Sequence, residues 1–340
     1  MADVVGYAAL EDDTQYFYNK VLLVRARPNL VHDRFGQQKP LPTKSTRKQT
    51  FRRYNALTPT TTPLLEGTPP TGSQIAKTDV TVTVKEYGDF VTVSDLVTFF
   101  GKDPVLTETA EVLGEQAGDS LDQVFRDILV AGTNVFYAGD DAGATGAARV
   151  NVAGAMNDTF IRKLIRKLEN ENAKKFTRII MGQGKDGTTP IRASHWAIAH
   201  PDVKYDLDNT TLNPKFVPTS EYPSSQEVMT EEVGAVREIR FVTSTQAKIW
   251  ADAGAAVGAT ALKSTGASNI DVYGTLVFGM NAYGIVPLSG HSMENIVKPL
   301  GSAGTADPLN QRSTSGWKAI TTAVILNDAF MLRAETGAKA

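Results

Sequence analysis

Three groups of residues in this 340-residue sequence have types and spacings that bear on chemistry. The first is Gly182, Gly184 and Gly187, which spell the glycine pattern of a dinucleotide-binding turn after the strand candidate Arg178–Met181. That chemistry needs a helix opening at the last glycine, whose N-terminus holds the pyrophosphate. Thr188, Thr189 and Pro190 follow instead, and then the run Trp196–His200, so the pattern reads as a hairpin turn. The second group is the histidines His32, His195, His200 and His291. His195 and His200 flank a strand candidate and face opposite sides of it if it stays extended, so they would not share a metal. His200-Pro201-Asp202 reads as a strand end. No carboxylate stands at metalloprotease spacing, and there is neither a Gly-x-Ser-x-Gly elbow nor a phosphate-loop Lys-Ser/Thr. Asp206-Leu207-Asp208-Asn209 lacks the glycine and distal glutamate of a calcium loop and reads as a solvated turn. The chain has no cysteine, which excludes disulfides, thiolate zinc, iron–sulfur clusters and thiol catalysis. No catalytic, metal or cofactor-binding residue is therefore expected, and the protein reads as something other than an enzyme.

The third group is basic. Lys39, Lys44, Arg47, Lys48, Arg52 and Arg53 lie in fifteen residues that contain no acid. Such an arm can neutralise nucleic-acid phosphates, dock on an acidic surface, or be a solvated ribbon whose lysines prevent edge-to-edge pairing. Docking is preferred, because the same chain supplies a complement. Glu108, Glu111, Glu115, Asp119 and Asp122 form one stripe on a helix candidate. The expected contact sets Lys44, Arg47, Lys48, Arg52 and Arg53 of one copy against that stripe on another, a head-to-tail arrangement that closes into rings. A second basic cluster (Arg162, Lys163, Arg166, Lys167, Lys174, Lys175) is interleaved with Leu164, Ile165 and Leu168 and offset by Glu169 and Glu171. It reads as the outer face of an ordinary amphipathic helix.

The elements that must position these groups follow from periodicity. Residues 25–75 are rich in Pro and Thr, and seven prolines between Pro28 and Pro70 forbid a continuous helix. Thr50–Leu57 is a strand candidate. Val80, Val82 and Val84 alternate with polar residues as in a half-buried strand, and Tyr87-Gly88-Asp89 reads as a turn before Phe90–Val93. The clearest helix spans 104–131, capped by Asp103 with Pro104 in its first turn and ended by Gly132. Its apolar face is Leu106, Ala110, Leu113, Ala117, Leu121, Val124 and Ile128, and at ~1.5 Å per residue it reaches roughly 40 Å. Ala138–Gly154 reads as a flexible crossing, and Asn157 or Asp158 caps a helix over Phe160–Lys174. Trp196–Ala199, Ile239–Val242, Tyr273–Phe278 and Ala319–Leu326 are strand candidates. The Ala/Gly/Thr tract Ala251–Ser268 reads as a weakly ordered loop tip. Strands and helices mix without a βαβ rhythm, which gives an α+β class.

With 41% hydrophobic residues and a net charge of −2, the composition allows a sizeable core and implies no global attraction to nucleic acid or membrane. No basic-then-apolar leader opens the sequence and no apolar run spans a bilayer, so a soluble protein made in a cytoplasm is expected.

Several short segments, in this order and spacing, resemble a known family: Phe51–Leu57, Leu65–Pro70, Tyr87–Asp95, Ala197–Asp202, Glu232–Gly234 with Arg240–Val242, Tyr273–Gly279, and Asp307–Gln311 with Trp317-Lys318. They resemble the major capsid proteins of tailed bacteriophages, in particular the N-four-type podophage group, whose subunits share the Hong Kong-type capsid fold. The resemblance runs from about residue 50 to the C-terminus. It implies an N-terminal arm (1–45), an extended β-ribbon loop (46–94), a peripheral domain with the 104–131 spine helix (95–155), an axial domain (156–285) and a return to the peripheral domain (286–340). It also implies pentamers and hexamers of an icosahedral shell in the virion, built in the bacterial host cytoplasm around double-stranded DNA held without sequence specificity. The implied partners are further copies of the chain, a portal, and scaffolding or decoration proteins; no membrane and no cofactor is implied. The alternatives are an encapsulin-like nanocompartment shell and a nucleic-acid-binding protein using the 39–53 arm.

Overall fold

A computed structural model describes residues 30–67, 69, 72–100, 105–176, 193–222, 228–258, 261–290, 293–302 and 307–339. The strand candidate Arg178–Met181, the glycines 182–187, His291, and the cap residues Asp103 and Pro104 lie outside them. So does the arm before residue 30.

The periodicity over 106–128 becomes a helix, α2 (Val105–Val130), preceded by the short α1 (Asp95–Phe100). Ala110, Leu113, Ala117, Leu121, Phe125 and Leu129 are buried along one side of α2. The row ends on Phe125 and Leu129, whereas Val124 and Ile128, expected on that face, are only half-buried. Past Leu121 the buried row keeps stepping by four. At the C-terminal end, the Gly132 amide donates to the Leu129 carbonyl at 3.1 Å, and the Arg333 guanidinium donates to the carbonyls of Val130 and Gly132. A side chain at Gly132 would meet the Met331 methyl at 2.6 Å and an Asp328 carboxylate oxygen at 2.9 Å.

The helix lies across strands from three sheets. Its core partners include Trp317 and Ala319 of β15 (Arg312–Thr321), Ala323 of β16 (Ala323–Ile325), and Leu276 and Phe278 of β12 (Val272–Phe278). In a three-stranded antiparallel sheet, β15 lies between β14 (Met293–Lys298) and β4 (Lys85–Ser94). A small sheet orders β1 (Gln37–Gln38), β13 (Tyr283–Ile285) and β16. The nine-stranded mixed sheet runs β6 (Thr145–Gly146), β5 (Val135–Ala138), β17 (Met331–Thr336), β12, β7 (His195–Ala199), β10 (Ile239–Thr243), β9 (Glu232–Val236) and β8 (Phe216–Pro218), with β11 (Ile249–Trp250) on β12. Helices α3 (Asp158–Asn170) and α4 (Pro201–Asp208) pack in its second core cluster through Phe160, Ile161, Leu164, Leu168, Val203 and Leu207. The last sheet is a two-stranded ribbon, β2 (Lys48–Tyr54) with β3 (Lys77–Thr83).

The α+β class is therefore what the chain adopts, but several local expectations change. Tyr87-Gly88-Asp89 is not a turn: it lies inside β4, which pairs with β15 along its whole length. Gly88 is there because a Cβ would sit 2.6 Å from the Trp317 carbonyl oxygen. The ribbon consequently ends at Thr83, and residues 85–94 belong to the three-stranded sheet instead. Strands from the segments 95–155, 156–285 and 286–340 share the nine-stranded sheet, because β17 carries the end of the chain back between β5 and β12. Residues 138–154 are more tightly held than a flexible crossing: Val152 is fully buried, and the Ala153 and Gly154 amides both donate to the Ala138 carbonyl. The described residues of the tract 251–268 are likewise pinned, by bridges Ala256–Asn269 and Leu262–Lys339 and by an Asn269 amide bond to Asp252. Asp206 is not in a solvated turn, since it is buried in α4.

Candidate functional site

The charged surfaces expected to dock are resolved by the ribbon register. Opposite pairs Lys48–Thr83, Thr50–Thr81 and Arg52–Asp79 lie on one face, and Gln49–Val82, Phe51–Val80 and Arg53–Thr78 on the other. The first face is polar, with a Thr50–Thr81 hydroxyl contact at 3.0 Å and an Arg52–Asp79 ion pair at 2.9 Å. The second is apolar at its base. Phe51 is buried against Leu41, Val84 and Val286, and its ring comes so close to Gly284 that a Cβ there would meet it at 2.7 Å. The basic run is thus not one patch. Lys48 and Arg52 project from the polar face and Arg53 from the other, while Arg47 donates to the Val84 carbonyl at 3.3 Å. Lys39 donates to the Thr50 carbonyl at 2.8 Å and lies over the Phe51 ring. Lys44, Lys48 and Arg53 remain exposed. Among the described residues between 55 and 76, Leu57, Leu64, Leu65 and Ile75 are exposed.

On the long helix, Glu108 and Glu115 are exposed and Glu111 and Asp119 half-buried. Glu111, Glu115 and Asp119 each make an interaction within their own chain. Asp122 does not belong to the docking stripe. It is fully buried; one carboxylate oxygen accepts the amides of Val31 and His32 at 2.8 Å, and the other takes His32 Nδ1 at 2.7 Å and the Ser244 hydroxyl at 3.3 Å. The stripe turned inward because α2 rotates its last acidic position under the turn at residues 31–34. Burial alone would raise the Asp122 carboxyl, but the His32 ring and the two amides hold it below the usual carboxylate range. The Tyr283 hydroxyl donates to the His32 carbonyl at 2.7 Å, closing this clasp between the entering chain and α2. Asp33 beside it is pushed up to about 6 by burial and by the Asp122 charge.

Four of the six residues of the second basic cluster are engaged within the chain, and Arg166 and Lys174 are exposed. Arg162 pairs with Asp158 at 2.6 Å, Lys167 with Glu171 at 2.7 Å and Lys175 with Glu238 at 2.6 Å, while Lys163 donates to the Gly143 carbonyl. The Arg237 guanidinium beside Asp158 holds that carboxyl below its usual range against the effect of burial, and Arg162 adds to this. Asn157 caps α3 as one of the two residues expected to, accepting the Phe160 amide at 2.8 Å. His200 caps α4 by accepting the Asp202 amide at 3.1 Å. His195, fully buried at the start of β7, is pushed down to about 4 by burial, with Lys175 adding to the effect. No group of three or more His, Asp or Glu side chains placed to hold a metal ion occurs among the described residues.

Two charge networks escaped the sequence reading. Arg240 and Glu232 are both buried and meet in a two-point pair at 2.7 Å across the β9–β10 hairpin. The guanidinium lies 4.4 Å from the Trp196 ring, and the Tyr222 hydroxyl and Met229 amide also donate to Glu232. The signal was present: Arg240 interrupts the apolar run 239–242, and a charge inside such a run must be paired. Glu335, also fully buried, accepts from Arg149 at 2.6 and 2.8 Å and from Arg333 at 2.8 Å, with Trp250 stacked 3.8 Å from the Arg149 guanidinium. Since Arg333 also holds the end of α2, this network ties the long helix to the nine-stranded sheet.

The distinctive features of the described residues are a two-stranded ribbon packed at its base on Leu41, Val84 and Val286 and buried charge clamps in the nine-stranded sheet. A family model described as phage capsid protein matches residues 77–334. No curated protein sequence matches the chain. Among solved structures, the fold is similar to the capsid of Ralstonia phage GP4 (TM-score 0.60, 10% identity, 90% of this chain and 88% of that one). It is similar to the cyanophage Pam1 capsid asymmetric unit (TM-score 0.60, 14% identity, 93% and 92%) and to the capsid of cyanophage P-SCSP1u (TM-score 0.58, 14% identity, 90% and 87%). The sequence identities are low, so these likenesses carry the fold.

Proposed function

Because this chain belongs to the phage capsid protein family, we infer that it is the major capsid protein of a tailed double-stranded DNA phage, self-assembling into an icosahedral shell. The observation that carries the inference is the family match over 77–334, on a chain whose fold spans about nine-tenths of the length of the three phage capsid chains named above. The role is structural and not enzymatic. The subunit would form pentamers and hexamers in the virion, after synthesis in the host cytoplasm, and enclose DNA through non-specific contacts. A portal and scaffolding or decoration proteins would be its other partners. The order of segments from Phe51 to Lys318 supports the N-four-type podophage group within the family.

In this reading the nine-stranded sheet with α3 and α4 contains the axial domain, and α2 with the three-stranded sheet forms the peripheral domain. The ribbon, ending at Thr83, reaches over a neighbour. Lys44, Arg47, Lys48 and Arg53 then face a field from Glu108, Glu111, Glu115 and Asp119 of that neighbour; Arg52 is balanced inside the ribbon by Asp79. Individually weak contacts suffice, because a closed shell multiplies them. Electron microscopy of the purified protein tests the reading. Closed icosahedral particles are the expected result, and a chain that stays monomeric at all concentrations and salts, with or without candidate scaffolding protein, refutes it.

A further inference from the structure

We propose that the space between α4 and the end of β17 is a binding site for a monovalent hard cation, sodium or potassium, held by the Asp206 carboxylate, the Asn213 side-chain oxygen and the Thr336 hydroxyl. The site lies inside one subunit, and the inference does not rest on the shell reading. Asp206 is on the buried side of α4, with Val203 and Leu207, and is itself fully buried. Among the described residues its carboxylate takes the Lys339 amide, at 3.2 and 3.4 Å, and no other hydrogen bond. One long contact does not replace the water that a buried carboxylate loses. The lysines nearby are spent on other acids. Lys339 Nζ stands 3.5 Å from Asp141, and Lys263 Nζ 2.7 Å from Asp202.

Three neutral oxygens accompany the carboxylate. The Asn213 side-chain NH2 donates to the carbonyls of Asp206 at 2.8 Å and Met156 at 3.0 Å, which fixes the amide, yet its oxygen is buried without a hydrogen-bond partner. The hydroxyls of Thr336 and Thr275 are likewise buried and unpartnered. Their direction follows from strand register. Thr336 stands opposite Tyr273, and Thr275 opposite Ala334, so each shares a face with its partner. Tyr273 and Ala334 belong to the second core cluster, on the side of the sheet that carries α3 and α4. Thr336 comes just before Lys339, whose amide marks the Asp206 carboxylate, and Thr275 lies one step further into the sheet. The neighbours Ala334 and Ala338 carry no side-chain polar atom that could satisfy either threonine. A carboxylate with amide and hydroxyl oxygens is the donor set of a hard cation. With one carboxylate, a divalent ion would leave net charge in the core, whereas a monovalent ion is balanced. A bound ion would tie α4 to β17, the strand that returns the end of the chain between β5 and β12.

Thermal unfolding of the full-length subunit is followed at constant ionic strength while sodium or potassium replaces choline, whose methylated nitrogen gives oxygen ligands nothing to coordinate. A site filled only in the folded state should raise Tm by about 2 °C when the ion reaches roughly ten times its dissociation constant. Thr336→Val keeps the shape of the side chain and removes the oxygen. It should abolish the shift, with a Tm in choline no lower than the parent's, because an unpaired buried hydroxyl is removed. Asp206→Asn should abolish the shift as well, and Thr211→Val, at an exposed position just past α4, should keep it. Equal Tm values in choline, sodium and potassium, a shift that survives in Thr336→Val, or one that is lost in Thr211→Val each overturn the proposal. A response to calcium with none to either monovalent ion also overturns it, since the argument from a single carboxylate would then be wrong.

Discussion

Replacing Glu232 by Gln keeps the shape of the side chain and removes its charge, leaving Arg240 as a cation in the nine-stranded sheet. Arg240 is 1% exposed, so water cannot take over the role of the carboxylate. Removing one partner of a buried pair costs about 3–5 kcal/mol, most of it the penalty of the stranded charge. The two-point geometry at 2.7 Å and the further donors from Tyr222 and Met229 put this site in the upper part of that range. For a chain of this length unfolding as one unit, an entropy of roughly 0.7 kcal/mol/K converts about 4 kcal/mol into a fall in Tm of about 6 °C. Calorimetry and urea denaturation of the unassembled subunit measure it. Two controls separate charge from packing. Arg240→Met combined with Glu232→Leu should recover most of the loss, because a well-packed apolar pair needs no counter-charge. The loss in Glu232→Gln should also persist in 1 M salt, where exposed pairs are screened. A drop below ~1 kcal/mol, or one abolished by salt, would show that the pair is hydrated and that the reasoning from burial is wrong.

Asp122→Ala strands the Val31 and His32 amides and the His32 ring, and should cost about 2–4 kcal/mol. Limited proteolysis should then cut near residue 30 faster than in the parent, and unchanged cleavage would refute the clasp. Asp206, pushed up to about 6 by burial, favours the folded state protonated, so its contribution falls as pH rises from about 4 through 6. Asp206→Asn, which still offers an oxygen to the Lys339 amide, should therefore stabilise the subunit by up to about 3 kcal/mol at pH 8 and by nothing at pH 4, read from urea midpoints. His195, depressed to about 4, has the opposite sign: its contribution is present above about 6.5 and is lost as pH falls toward 4. His195→Leu should flatten that acid limb, and an unaltered limb counts against it. Reversing Lys44, Lys48 and Arg53 to Glu should impair particle formation with the monomer still folded, and reversing Glu108 and Glu115 in the same chain should partly restore it. Normal shells from the triple variant alone would dismiss charge docking at the ribbon base.

The sequence by itself determined the long helix, the half-buried ribbon strand, and the absence of cysteine chemistry, since each depends on spacing or composition within a short window. Leu113, Ala117 and Leu121 recur at helical steps whatever they pack against, and Val80 and Val82 alternate whatever lies beneath them. The same local rules misread Tyr87-Gly88-Asp89 as a turn, because the reason for Gly88 is the Trp317 carbonyl more than two hundred residues away. They placed Asp122 on an outer acidic stripe for a similar reason. A carboxylate at the right helical step is indistinguishable from its neighbours until His32, Ser244 and the turn at 31–34 close over it. The basic run looked like one patch in the sequence, and strand pairing divided it between two faces and neutralised Arg52 with Asp79. Only tertiary structure could decide these points, because burial and pairing of a charge depend on which distant segment is folded against it.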